Sequence, residues 1–194
     1  MNNKKIGLTL GDINGVGIEV AVKALNQMAL DNSIFLFGSR EVFDYHLNFL
    51  QIKANFNYEF VDLDNNENLK KIDKTVKWGK NEANSGFISF YSLKKAIDYA
   101  NDNKIDAIIT APTSKKAMNM AGFHYNGQTE ILQKYLKSND GKEKNAQMLF
   151  CTNGGFRVLL LTRHLSLKEV PKAISREIII KNVIKINDIL KNNF

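Results

Sequence analysis

His164 stands where an apolar run, Val158 to Leu161, gives way to Thr162 and Arg163. An imidazole at the end of a buried strand can ligate a metal or donate to a substrate oxygen, provided it stays neutral. "SLKE" (166–169) has the form of a capping box. Pro171 conflicts with a helix that starts there, so the helix is expected to begin near Val170 instead. Either start places a positive helix end near His164, which disfavours protonation. Spacing alone does not separate this ligand from an ordinary satisfied histidine, the assignment given to His46 and His124.

Two other polar loops end apolar runs in the same way. "GDINGVGIE" (11–19) joins the strand "KKIGLTL" to a helix. Gly15 and Gly17 permit positive φ and close approach of a ligand to the backbone, and the helix beyond offers free N–H groups to an anion. The loop matches neither familiar phosphate fingerprint, since Val20 stands where G-x-G-x-x-G needs glycine and no Gly-Lys-Ser/Thr follows. Asp12 and Glu19 add negative charge against a simple phosphate cradle, and a tight connector without a ligand would carry the same glycines. The second loop, "TAPTSKK" (110–116), crowds Thr110, Thr113, Ser114, Lys115 and Lys116 at a strand end. Lys115 is a candidate partner for a phosphate or carboxylate, although a solvated lysine at a helix start needs no ligand. In "NGQTE" (126–130) a turn precedes a helix, so Gln128 and Thr129 would stand beside free N–H groups, or Thr129 would simply cap the helix.

The elements that must position these residues alternate. Strands are predicted at 4–10, 33–38, 56–64, 105–112, 146–151 and 157–162, the last two as a hairpin around "TNGG". Helices are predicted at 18–28, 40–50, 85–103 (with Ser85 as a cap), from 113 onward, and at 128–136. Such alternation implies an α/β fold with a largely parallel sheet, whose ligand groups collect at the carboxyl ends of strands. The final segment carries apolar residues at 179, 183, 186 and 190, a helical stripe that needs a partner. The expectation is therefore a piece of a longer protein, or an oligomer.

Composition bounds the function. The net charge is +7, yet only 4 of the 27 basic residues are Arg and the Lys lie scattered among 24 Asn, without the basic stripe of a nucleic-acid binder. A weak attraction for anionic metabolites is the fairer inference. Neither a membrane span nor a secretory leader is visible, and the single Cys151 fits a reducing, cytoplasmic setting.

Together, "LTLGDINGVGIEV", "ITAPTSKKAMNMAGFHYNGQTEIL" and "VLLLTRHLSLKEVPKAI" resemble the 4-hydroxythreonine-4-phosphate dehydrogenase family of vitamin B6 synthesis, in the family's order. The resemblance covers residues 6 to 174, about the N-terminal half of a member. It implies an isocitrate/isopropylmalate-dehydrogenase-like fold with two α/β domains around a cleft, the first over 1–127 and the start of the second, incomplete, over 128–194. It also implies a homodimer with active sites at the subunit interface. The implied reaction is NAD-dependent oxidation of 4-phosphooxy-L-threonine with loss of carbon dioxide, giving 3-amino-2-oxopropyl phosphate. A divalent metal (Zn, Mg or Co) would assist. On this resemblance His164 matches a metal histidine and Thr129 a substrate-binding threonine. Gln128 stands where many members have histidine, and it can bind but cannot titrate. Lys115 is the candidate catalytic residue. "GDINGVGIE" lacks both prolines of the commoner "GDPAGIGPE". The remaining metal ligands and most NAD contacts would lie beyond Phe194, so the chain by itself is expected to be catalytically incomplete. The alternatives are a phosphate acyltransferase-like enzyme on a related fold and a non-catalytic dimerisation or binding fragment.

Overall fold

The computed structural model describes residues 4–28, 32–137, 149–152, 154–162 and 165–193. The chain divides into two compact units, 1–144 and 145–194.

The first unit is built on four parallel strands, β1 (Lys5–Thr9), β2 (Ser33–Gly38), β3 (Tyr58–Asp62) and β4 (Ala107–Thr110), in the order β3-β2-β1-β4. Alternate residues of β2 point to opposite faces, as the two-residue period of a strand demands. Ile34 and Leu36 pack with Val22 and Leu25 of α1 (Gly17–Asn26) and with Val42 and Phe43 of α2 (Arg40–Leu50). Phe35 and Phe37 pack instead with Ala96 and Tyr99 of α3 (Ala83–Asn101). Helices thus cover both faces, and β2 reads as a continuous apolar run because neither face meets water. Each fully buried Leu, Ile or Phe in these layers contributes about 1.5–3 kcal/mol.

Local chemistry explains the helix boundaries. Ser39 caps α2 by accepting from the Val42 N–H, and Gln51 ends it in the left-handed region at φ 52°. The sequence places Ser85 as the cap of α3, but the helix starts earlier, with Glu82 at the cap position. Ser85 lies buried in the first turn, where its hydroxyl donates to the Glu82 carbonyl at 3.0 Å. Ser114 caps α4 (Lys115–Met120), and Gly127 precedes α5 (Gln128–Tyr135). Ile131 of α5 is fully buried beside Phe90 and Leu93 of α3, so α5 packs within the first unit.

The second unit holds the antiparallel pair β5 (Leu149–Cys151) and β6 (Arg157–Leu159), the hairpin expected around "TNGG". Gly155 supplies the positive φ of its turn. A short helix, α6 (Val170–Ala173), places Pro171 in its first turn with Glu169 as the cap residue. Ser166 donates to the Glu169 carboxylate at 2.6 Å, but ahead of the helix. The last helix, α7 (Arg176–Asn193), contains the predicted apolar stripe, and Ser175 accepts from the Ile178 N–H at its start. No helix among the described residues is long and apolar enough to cross a membrane.

Candidate functional site

The strand order defines the site. From β1 the chain winds outward to β2 and β3, then returns to place β4 on the other side of β1. The point of reversal lies between the carboxyl ends of β1 and β4, where a crevice opens in sheets of this kind. The loops that leave these two strands are the sequence's two glycine- and threonine-bearing motifs.

They run side by side. Thr9 pairs with Thr110 in register, the Ala111 N–H donates to the Thr9 carbonyl at 3.2 Å, and the Asp12 N–H donates to the Pro112 carbonyl at 3.0 Å. Gly11 makes this approach possible. Its φ is +71°, and an added Cβ would lie 2.3 Å from the Pro112 oxygen. The positive φ of the turn therefore belongs to Gly11, whereas Gly15 and Gly17 do not adopt it. Gly17 serves packing: a Cβ there would come within 2.7 Å of the Leu10 carbonyl. The Asp12 carboxylate accepts from the Asn14 N–H at 3.0 Å, and the Gly15 N–H donates to the Asp12 carbonyl, which closes a local turn.

Asn14 fastens this turn to a third loop. It is 3% exposed. Its Oδ1 accepts from the Lys77 N–H at 2.7 Å, its Nδ2 donates to the Lys80 carbonyl at 3.0 Å, and its own carbonyl accepts from the Gly79 N–H at 2.9 Å. Farther along the third loop, Asn81 accepts from the Ser114 hydroxyl, which in turn accepts from the Ala117 N–H. Ser114 is thus committed to capping and to joining loops.

Gln128 completes the assembly. Its Nε2 donates to the Ala111 carbonyl at 3.1 Å and contacts the Thr113 hydroxyl oxygen at 3.0 Å. A carbonyl accepts only, so the amide must face Ala111 with its nitrogen. That fixes Oε1 on the other side, where it is buried and has no partner among the described residues. A buried acceptor without a donor is costly, and a ligand N–H or O–H would satisfy it.

The remaining candidates are placed as follows. Thr129 is half-buried in the first turn of α5, and its hydroxyl has no hydrogen-bond partner among the described residues. Lys115 and Lys116 are exposed at the start of α4 and make no ion pair among the described residues. His164 and Arg163 lie outside the described residues. Among those that are described, no group of three His, Cys, Asp or Glu side chains is gathered to hold a metal. A cavity of about 820 Å³ lies at the amino ends of β2 and β3, lined by Asn32, Asn55, Phe56 and Tyr58, away from these loops.

The fold and site are those of an α/β protein with a mostly parallel sheet and its polar loops at a strand-order reversal. The family model for pyridoxal phosphate biosynthetic protein PdxA matches residues 30–194, and the chain belongs to that family. A 4-hydroxythreonine-4-phosphate dehydrogenase from Sulfurihydrogenibium sp. is 32% identical over 198 residues, covering 98% of this chain and 59% of its own length. A protein named putative D-threonate 4-phosphate dehydrogenase, from Clostridium botulinum, is 28% identical over 208 residues, with 98% and 59% covered. A crystal structure of 4-hydroxythreonine-4-phosphate dehydrogenase from Burkholderia phymatum superposes with a TM-score of 0.79 at 22% identity, covering 98% of this chain and 59% of that one. The chain thus spans somewhat more than half the length of these relatives.

Proposed function

We propose that the chain supplies the substrate-binding loops of a dehydrogenase acting on a phosphorylated four-carbon hydroxy acid, with 4-phosphooxy-L-threonine as the first candidate. The observation that carries this reading is the convergence of the Gly11–Gly17 turn, the Ala111–Ser114 loop and Gln128 at the β1/β4 reversal. The names of the relatives support the substrate class. In the full reaction the secondary alcohol is oxidised to a ketone, and the resulting β-keto acid loses carbon dioxide to give 3-amino-2-oxopropyl phosphate. NAD, as the bound oxidant, would accept the hydride; no residue of the chain is assigned to it.

The chain's own residues bind and orient. Gln128 presents a fixed acceptor to the amine or hydroxyl of the substrate and cannot move a proton at neutral pH. Thr129 offers a hydroxyl to the same ligand from the first turn of α5. Lys115 supplies positive charge for the phosphate or carboxylate. His164 is the candidate metal ligand on the family resemblance; no group of three His, Cys, Asp or Glu side chains gathers among the described residues, so no step is derived through a metal. The two-domain cleft and the homodimer likewise belong to this proposal, as does a cytoplasmic location.

The test is calorimetric titration of the purified protein with 4-phosphooxy-L-threonine and with D-threonate 4-phosphate, beside an assay of NADH formation. One of the two binds, and Gln128→Ala weakens it about tenfold, the cost of one hydrogen bond to a charged donor. Binding of neither compound, or an unchanged affinity in Gln128→Ala, would overturn the reading.

A further inference from the structure

His46 lies in the middle of α2 and is fully buried. Its Nε2 lies 2.8 Å from the Ile13 carbonyl oxygen, inside the glycine-rich turn. A carbonyl cannot donate, so Nε2 carries the proton and the ring is the Nε2–H tautomer. Nδ1 is buried with no partner among the described residues. The Trp78 ring meets the imidazole edge-on with centroids 4.5 Å apart, and Phe49 packs against Trp78 at 5.2 Å. Trp78 belongs to the 77–80 loop that Asn14 binds. The contacts therefore form a closed circuit: α2 holds Ile13, its neighbour Asn14 holds the 77–80 loop, and Trp78 of that loop covers His46.

We propose that His46 is the positioning residue of the glycine-rich turn, holding the Ile13 carbonyl through a fixed Nε2–H and thereby setting where Asp12, Asn14 and Gly15 stand at the β1/β4 reversal. This rests on reading that turn as part of a ligand site. The groups facing the ring are the edges of Tyr45 and Trp78 and, at longer range, Glu19 of α1, itself paired with Lys23. Burial lowers the ring's proton affinity, while the Ile13 carbonyl and Glu19 oppose that shift without cancelling it. Protonation would place an N–H at Nδ1 where no acceptor waits, so the neutral clamp is the state the fold selects.

The experiment needs no bound ligand, which separates its failure from failure of the substrate reading. In the intact protein, ¹⁵N spectra of His46 show Nε2 protonated and Nδ1 bare, and this state persists below the ordinary imidazole pKa of about 6.5, because burial holds the ring neutral. His46→Phe keeps a flat aromatic ring, somewhat larger, and removes the donor, and amide exchange over 11–17 then accelerates about five- to tenfold while β2 and α3 stay protected. His46→Gln keeps an N–H at similar reach and restores exchange to within about twofold of the original. Equal exchange over 11–17 in His46→Phe, equal effects of Phe and Gln, or a protonated Nδ1 in the unsubstituted protein would each overturn the proposal. The spectral test stands even where His46→Phe does not fold.

Discussion

Replacing Asn14 by alanine probes how the glycine-rich turn is held. The side chain is 3% exposed and joins residues 63 and 66 positions away, through Oδ1 to the Lys77 N–H and Nδ2 to the Lys80 carbonyl. Each bond contributes about 1 kcal/mol net, and any peptide group left without water adds to the loss. The expected cost of Asn14→Ala is therefore about 2–3 kcal/mol. For a chain of this size each kcal/mol lowers Tm by about 2–4 °C, so the transition should fall by about 4–12 °C. Asn14→Asp separates the two bonds. The acceptor for Lys77 survives, but a carboxylate oxygen now opposes the Lys80 carbonyl in a buried site. Its deficit is expected to match or exceed that of alanine at neutral pH, and to narrow in acid, where a protonated carboxyl can donate again. Calorimetry across pH reads both variants. A Tm for Asn14→Ala within about 1 °C of the original would refute the claim that Asn14 fastens the two loops.

Other consequences follow from the same geometry. Gly11→Ala forces a side chain into φ +71° and onto the Pro112 oxygen, so urea unfolding should show a loss of more than about 2 kcal/mol. Gly86→Ala would put a Cβ 2.1 Å from the Ala117 carbonyl, where α3 crosses α4, and should cost at least as much by the same measure. Gln128→Glu sets a carboxylate against the Ala111 carbonyl; a loss of about 1–3 kcal/mol is expected in urea, and no loss would mean that the amide is not oriented as described. Burial depresses the His46 pKa, so the unfolded chain takes up a proton that the folded one refuses. Its contribution is complete above about pH 6.5 and is lost as pH falls from there toward the lowered folded value. In His46→Gln that part of the acid-induced loss should disappear.

The order of elements was legible because each buried run is bounded by turn and cap residues. Ser33–Gly38 ends at a glycine, and Arg40–Leu50 follows a capping serine, so both ranges match the sequence reading. Ser85 mimics a cap in the sequence but lies within the first turn of α3 and bonds backward, a local alternative open to serine. The strand order was not legible: apolar periodicity says which residues are buried, not which strand lies beside which. Without it the two polar loops were known only to end strands, and their meeting at one reversal had to come from the register of Thr9 with Thr110. Glycine spacing drew attention to Gly15 and Gly17, but the strained position is Gly11, which depends on the approach of Pro112 from a strand about a hundred residues away. Asn14 carries no sequence signal for the same reason, and His46 reads in the sequence only as an ordinary satisfied histidine; their partners, Lys77, Lys80 and Ile13, are distant in the chain. Gln128 and Thr129 stood out because an Asn-Gly turn and a helix start flank them.

The central claim is that the carboxyl ends of β1 and β4, with Gln128, form the ligand site. The most direct measurement is a ¹⁵N titration of the protein with 4-phosphooxy-L-threonine, mapped residue by residue. The shifts are expected to concentrate at 11–17, 111–115 and 128–129. Shifts confined to the cavity beside Asn55, Phe56 and Tyr58, or none at saturating ligand, would contradict it.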